Sequence, residues 1–336
     1  MEYGAIDLHQ RYTWIRLVTA DGAVRFEQRV PTTRAALTAA FTGRPHARVL
    51  IESSTESEWV AQTIEACGHE VVVASPSYAL MYGHRDPRIK TDRRDVVALA
   101  EACRLGIYRA AHRVSAEQRA RRRELKVREL LVRQRTALIN FLRAELRQEG
   151  VRLRSCAAES VVRQYRALEV PTEVATGLAL VIAALEDLND AIAASTTALT
   201  AAAKADPVAR RLQTAPSVGP ITSLTYRAVI DDVARFADAR GVTAYVGLVP
   251  KEDSSGDRKR KGHITKAGPT GLRVLLIQAA WGIWRQRKGG GALHAWVERL
   301  AARRGRRIAV VALARRLARI LYAMWRDEQD YRVQPA

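Results

Sequence analysis

The pattern of apolar and polar positions changes character twice along the chain. Up to residue 112, short apolar runs alternate with helical stripes. "YGAIDLHQ" and "YTWIRLVTA" read as strands, "ADG" turns the chain, and "AVRFEQRV" reads as a third strand. "TTRAALTAAF" then predicts a short helix, "ARVLIES" a buried strand, "ESEWVAQTIEACG" a helix closed by glycine, and "HEVVVAS" another strand. A loop, "PSYALMYGHRDPRI", leads into the helical "TDRRDVVALAEACRLG". Hairpin-joined strands followed by β–α alternation predict an α/β unit with a mixed sheet over residues 1–112.

Residues 113–206 read as almost wholly helical. "SAEQRARRRELKVRELLVRQRTALINFLRAELRQEG" predicts one long helix with Val127, Leu131, Leu138, Leu142 and Leu146 along one side. Further on, Leu178, Val181, Leu185, Leu188, Ile192 and Leu199 recur at 3-4 spacing, with Ser195 as the gap. That period predicts a coiled coil, within the chain or between protomers, and equally fits a stripe facing a bundle core. Residues 207–336 form a third, mainly α unit with helical signals on both sides of a basic, glycine-containing loop. Within it, "LQTAPSVGPITSLTYRAVI" reads as a helix-hairpin-helix whose turn would present backbone N–H groups to phosphates, although the same residues also suit an ordinary interhelix turn.

Charge narrows the function classes. The 336 residues carry 55 Lys+Arg against 35 Asp+Glu, a net charge of +20, which favours a polyanionic partner such as nucleic acid over a neutral ligand. The three cysteines (Cys67, Cys103, Cys156) lie scattered in apolar or helical sequence, without metal-ligand spacing, and read as buried small hydrophobes in a reducing compartment. No run of about 20 apolar residues spans a membrane. The N-terminus lacks a basic region followed by an apolar one, so a secretory signal is not expected and the expected location is cytoplasmic, at the nucleoid.

Four carboxylates stand out by position. Asp7 lies in the first strand, Glu52 ends a central-looking strand, and Asp92 and Asp95 open a helix three residues apart, on one face. Acids at strand ends converging with helix acids make a site for a hard divalent cation such as Mg²⁺, which stabilises charge on a reacting phosphate. Taken singly, each has a plainer reading: Asp92 as a helix N-cap, Asp95 as a partner of the helix dipole, Glu52 as a strand-end acid.

In "KEDSSGDRKRKGHITKAG", Ser254, Ser255 and Gly256 precede Arg258, Lys259, Arg260, Lys261, His263 and Lys266, with Arg273 beyond. A serine hydroxyl needs a base, a metal or neighbouring positive charge to attack, and cations would also bind the attacked phosphate. The alternative is a phosphate-gripping loop whose serines only form turns. Further cations decorate the first long helix, among them Arg121, Arg122, Arg123, Lys126, Arg128, Arg133 and Arg135, and others crowd the C-terminal helices from Arg303 to Arg319. They are candidate phosphate contacts. Trp281, Trp284, Trp296 and Trp325 read as core residues before base-stacking ones.

"GAIDLH", "IESS", "KTDRRD", "PSVGP", "YVGLVP", "SSG" and "HITKAGPTGLRVLL", in this order, resemble the serine-DEDD insertion-sequence recombinases, the transposase family that also contains the pilin-gene invertase. The resemblance covers most of the chain, and the helical middle carries no motif. It implies a RuvC-like, ribonuclease-H-like N-terminal domain whose metal-binding acids fall on Asp7, Glu52, Asp92 and Asp95. It further implies a C-terminal transposase domain whose nucleophilic serine matches Ser255, although Ser254 stands beside it. A non-coding bridge RNA pairing with target and donor DNA is implied too, as is assembly into a homodimer or homotetramer through the helical region. Two positions depart from the family pattern: Ser217 stands where glycine is common and Ser75 where asparagine is common. The rival functions are a hydrolytic RuvC-like nuclease and a non-catalytic nucleic-acid-binding protein.

Overall fold

The computed structural model describes residues 1–83, 91–255, 258–286 and 291–332, and of residues 253–261 only backbone. The chain divides into two units, Met1–Arg113 and Val114–Ala336.

In the first unit, β1 (Glu2–Leu8), β2 (Tyr12–Val18) and β3 (Val24–Pro31) form an antiparallel meander. Helix α1 (Arg34–Phe41), β4 (Ala47–Glu52), α2 (Ser57–Ala66), β5 (Glu70–Ala74) and α3 (Asp92–Leu105) follow. The sheet order is β3-β2-β1-β4-β5, with β1, β4 and β5 parallel. This is the mixed sheet expected of a RuvC-like fold. Alternation along the strands separates two cores. Ile6, Val49, Ile51 and Val73 pack on one face with Leu37 and Phe41 of α1 and Val60 and Ile64 of α2. Ala5 and Leu50 face the other way, onto Val96, Leu99 and Cys103 of α3. Cys103 is buried as expected, and burial pushes its thiol up to about 11.

The second unit opens with α4 (Ala116–Gln148), tied down at its start by Ser115, whose N–H and hydroxyl donate to the Asp231 carboxylate at 2.9 and 2.6 Å. After a short α5 (Val161–Arg166), α6 (Thr172–Ala205) packs back along α4, and Ile139, Leu142 and Leu146 meet Leu178, Ile182 and Leu185. Of the expected α6 seam, Leu178, Leu185, Ile192 and Leu199 are buried, Val181 and Leu188 are half-buried, and Ile182 joins the buried set. The α4 seam holds at Leu142 and Leu146, whereas Val127 is exposed and the buried stripe also takes in Arg135 and Ile139. Apolar residues alone therefore marked the later half of the stripe and missed its charged member. Arg135 is tolerated inside because it donates to Asn189 Oδ1 at 3.0 Å and pairs with Glu159 at 3.0 Å.

Beyond it lie α7 (Pro207–Leu212), α8 (Pro220–Ile230) and α9 (Ala239–Tyr245), then two strands, β6 (Pro250–Ser255) and β7 (Arg258–Ile264). The helices α10 (Thr270–Arg285), α11 (Gly291–Arg304) and α12 (Arg306–Arg326) complete the unit around one large core. Trp325 is buried in that core against Tyr226. Among the described residues no helix is long and apolar enough to cross a membrane.

The turn between α7 and α8 holds Ser217 at φ 59°, the left-handed region where glycine costs least. Its hydroxyl is buried without a hydrogen-bond partner, and a methyl group on Gly282 of α10 would come within 2.7 Å of it. Ser217→Gly is therefore expected to stabilise the chain by about 1 kcal/mol in urea denaturation, by relieving backbone strain and an unpaired polar group. Gly282→Ala should destabilise the wild type and cost less in the Ser217→Gly background. Additive effects of the two substitutions would refute the contact.

Candidate active site

Strand register builds the site. Ile6 of β1 pairs with Ile51 of β4 in parallel, so Asp7 and Glu52 are the next residues at the same end of two central strands. Ala5 and Leu50 face α3, and with a period of two Asp7 and Glu52 share that face. From the other side, α3 brings the two aspartates of its first turn. Its N-cap is Thr91, whose hydroxyl accepts from Arg94 N at 3.3 Å, so Asp92 is not spent on capping. Asp95 is buried and Asp92 is 59% exposed.

The four acids are brought together. Burial pushes the Asp7 carboxyl above its ordinary range; His9 opposes this, and the charges of Asp92 and Asp95 add to it. The hydroxyl of Tyr82 donates to Glu52 Oε2 at 2.6 Å, and its own pKa is raised by burial, by that bond and by the charges of Glu52, Asp95 and Asp7. Glu52 is thus held in place by a residue the sequence did not single out. His9 was also missed: its Nε2 lies 3.1 Å from Asp7 Oδ2 and 3.5 Å from Asp92 Oδ1. "DLH" carried that signal, since a histidine two residues after a strand-end acid comes back to the same face. Among the described residues, ligand atoms of Asp7, His9 and Asp92 lie within 4.8 Å of one another, so these side chains fit the divalent metal that the acidic motif implies.

The serine segment is no loop. β6 and β7 pair antiparallel, with Ser255 opposite Arg258, Ser254 opposite Lys259, Asp253 opposite Arg260 and Glu252 opposite Lys261. Ser255 is the last residue of β6. Gly256 and Asp257 lie outside the described residues, as do the side chains of Ser254, Ser255, Arg258, Lys259, Arg260 and Lys261. A sequence signal existed: Gly-Asp between two runs is hairpin chemistry, and acids face bases across the pair. Absence of apolar alternation hid it.

The hairpin's root is tightly built. Gly247 (φ 72°) and Gly268 (φ 69°) cross where side chains would strike the Ala267 and Tyr245 backbone at 2.3 and 2.0 Å. Arg273 is buried there, donating to Val246 O at 2.8 Å, Ala267 O at 2.9 Å and Thr270 Oγ1 at 3.1 Å. Its expected role as a phosphate contact is therefore corrected: the guanidinium is consumed by the fold. Arg122 is likewise committed, to the Ala228 and Val229 carbonyls at 2.7 and 2.9 Å, and Arg121 pairs with Glu124 at 2.6 Å. Arg123, Lys126 and Lys266 are exposed.

Comparison with known proteins agrees with this architecture. Residues 5–150 match the model of the DEDD-type IS110 transposase domain, and residues 209–294 match that of the transposase IS116/IS110/IS902 family. The chain is 32% identical over 289 residues to the transposase for insertion sequence element IS1111A of Coxiella burnetii, covering 80% of this chain and 78% of the relative. It is 31% identical over 299 residues to a probable family 20 transposase of Pseudomonas aeruginosa, covering 87% and 88%. A putative transposase of Sinorhizobium fredii, y4pF/y4sB, is 30% identical over 297 residues, covering 87% and 76%. The chain belongs to the IS116/IS110/IS902 family of insertion-sequence transposases.

Because Asp7 is driven up by burial and by neighbouring acids, its charge costs stability as pH rises through the unfolded carboxylate range. Without divalent cation, Asp7→Asn is expected to raise the unfolding midpoint at neutral pH by a few degrees. Added Mg²⁺ should then raise the midpoint of the wild type more than that of the variant. A variant less stable than the cation-free wild type would show that the acids do not repel.

Proposed function

We propose that this transposase cuts and rejoins DNA through Ser255, with Asp7, Glu52, Asp92 and Asp95 holding Mg²⁺. The observation that carries the reading is the gathering of all four acids at the ends of β1 and β4 and the first turn of α3. In the reaction, Ser255 Oγ loses its proton and forms a bond to the phosphorus, one P–O bond of the DNA breaks, and the leaving oxygen takes up a proton. The resulting serine ester conserves the bond energy, so a DNA hydroxyl can reverse the step onto a new strand. A bound Mg²⁺ would supply Lewis-acid stabilisation of charge on phosphate oxygens. Asp7 and Glu52, fixed on neighbouring strands, would provide the rigid half of its binding site, with Tyr82 orienting Glu52. Arg258, Lys259, Arg260 and Lys261, opposite and beside the serines in the hairpin register, would bind the attacked phosphate.

Target choice is assigned to a bridge RNA, because pairing can specify DNA that the protein does not read. The exposed Arg123, Lys126 and Lys266 would serve as sequence-independent backbone contacts, together with the α7–α8 turn acting as a helix-hairpin-helix. Residues 1–112 would act as the metal-binding domain, 113–206 as the helical region of a homodimer or homotetramer, and 207–336 as the transposase domain.

The test incubates the chain with Mg²⁺, RNA from the element's non-coding flank and labelled DNA spanning the element junction. A denaturing gel is expected to show a protein–DNA adduct that Ser255→Ala and Asp7→Ala abolish and Ser254→Ala keeps. Cleaved ends without any adduct, undiminished in Ser255→Ala, would point to hydrolysis by water and exclude the serine nucleophile.

A further inference from the structure

Among the described residues, the one set of metal-ligating side chains within reach of a common ion is Asp7, His9 and Asp92, and it includes a nitrogen donor that a carboxylate motif does not call for. The His9 Nε2 distances of 3.1 Å to Asp7 Oδ2 and 3.5 Å to Asp92 Oδ1 lie just above the spacing of adjacent ligands on one cation. With bonds of about 2.1 Å, neighbouring corners of an octahedron lie roughly 3.0 Å apart.

The histidine is also held from behind. Its backbone carbonyl accepts from Thr32 Oγ1 at 2.7 Å, Thr32 N donates to Arg11 O at 3.0 Å, and the Thr32 and Thr13 hydroxyls are 2.7 Å apart. The turn after β1 is thereby fixed to the residue after β3. The imidazole itself is 51% exposed, between the 13% of Asp7 and the 59% of Asp92.

We infer that His9 is a direct metal ligand, which makes this an N/O site with a bias towards Mn²⁺ over Mg²⁺. An imidazole lone pair adds more to the binding of borderline first-row ions than to that of Mg²⁺, which favours oxygen donors. The inference rests on the metal-binding reading of the acids and adds a ligand and a selectivity to it.

The test measures Mn²⁺ and Mg²⁺ binding to the full chain by calorimetry, and the Mn²⁺ complex by electron spin-echo spectroscopy. Wild type, His9→Ala, His9→Gln and Asp7→Asn are compared, with folding checked by circular dichroism. The expected result is nitrogen modulation from a bound imidazole in the wild type and none in either His9 variant. Mn²⁺ affinity should fall about tenfold or more in the His9 variants, with a smaller loss for Mg²⁺. Mn²⁺ bound without nitrogen modulation, at an affinity that His9→Ala leaves unchanged or improves, would overturn the inference while the carboxylate site stands. No binding in the wild type, indistinguishable from Asp7→Asn, would overturn both.

Discussion

The parallel pairing of β1 with β4 is the constraint on which the first unit turns. Ile6 against Ile51 sets the register, and that register decides which core each following residue faces. A slip of one residue would turn Asp7 or Glu52 towards the apolar side chains of α1 and α2, where burying a carboxylate is costly. The apolar contacts of Ile6, Val49 and Ile51 are thus what hold two acids side by side at a strand end. Packing energy spent on one face of the sheet maintains electrostatic crowding on the other.

That crowding was partly legible in the sequence. Strand and helix periods placed Asp7, Glu52, Asp92 and Asp95 on the elements they occupy, because an amphipathic α/β unit with short connections leaves few alternatives. Long-range partners were not legible. Tyr82 reaches Glu52 from a segment with no periodicity, and a histidine after a strand reads as a turn residue until its partner on α3 is in place. The long helix shows the same limit. Its burial runs through Arg135, whose charge is paid for by Asn189 and Glu159, and no reading of apolar positions includes an arginine in a seam.

Basic residues sort by what lies beneath them. Composition treats the +20 excess as one property, yet the arginines divide between two tasks. Arg122 and Arg273 turn inward because helix ends and crossing loops leave carbonyls that need donors, which a forked guanidinium can meet two at a time. Arg123 and Lys126, on the same long helix as Arg122, are exposed. Arg123 lies about 100° around the helix from Arg122, whereas Lys126, one turn on, shares its face.

The serine hairpin combines a rigid base with a charged end. Thr265 N donates to Val249 O at 2.8 Å and Lys266 N to Gly247 O at 3.2 Å, below which the two glycines and Arg273 lock the crossing chains. From that base the strands extend with acids opposite bases, a pairing that lets two polar strands associate without an apolar face. The family motifs at the root therefore have a structural cause that is independent of chemistry: "YVG" and "KAG" are where two backbones touch, and the arginine that follows seals them. The strand that ends at Ser255 starts from this crossing.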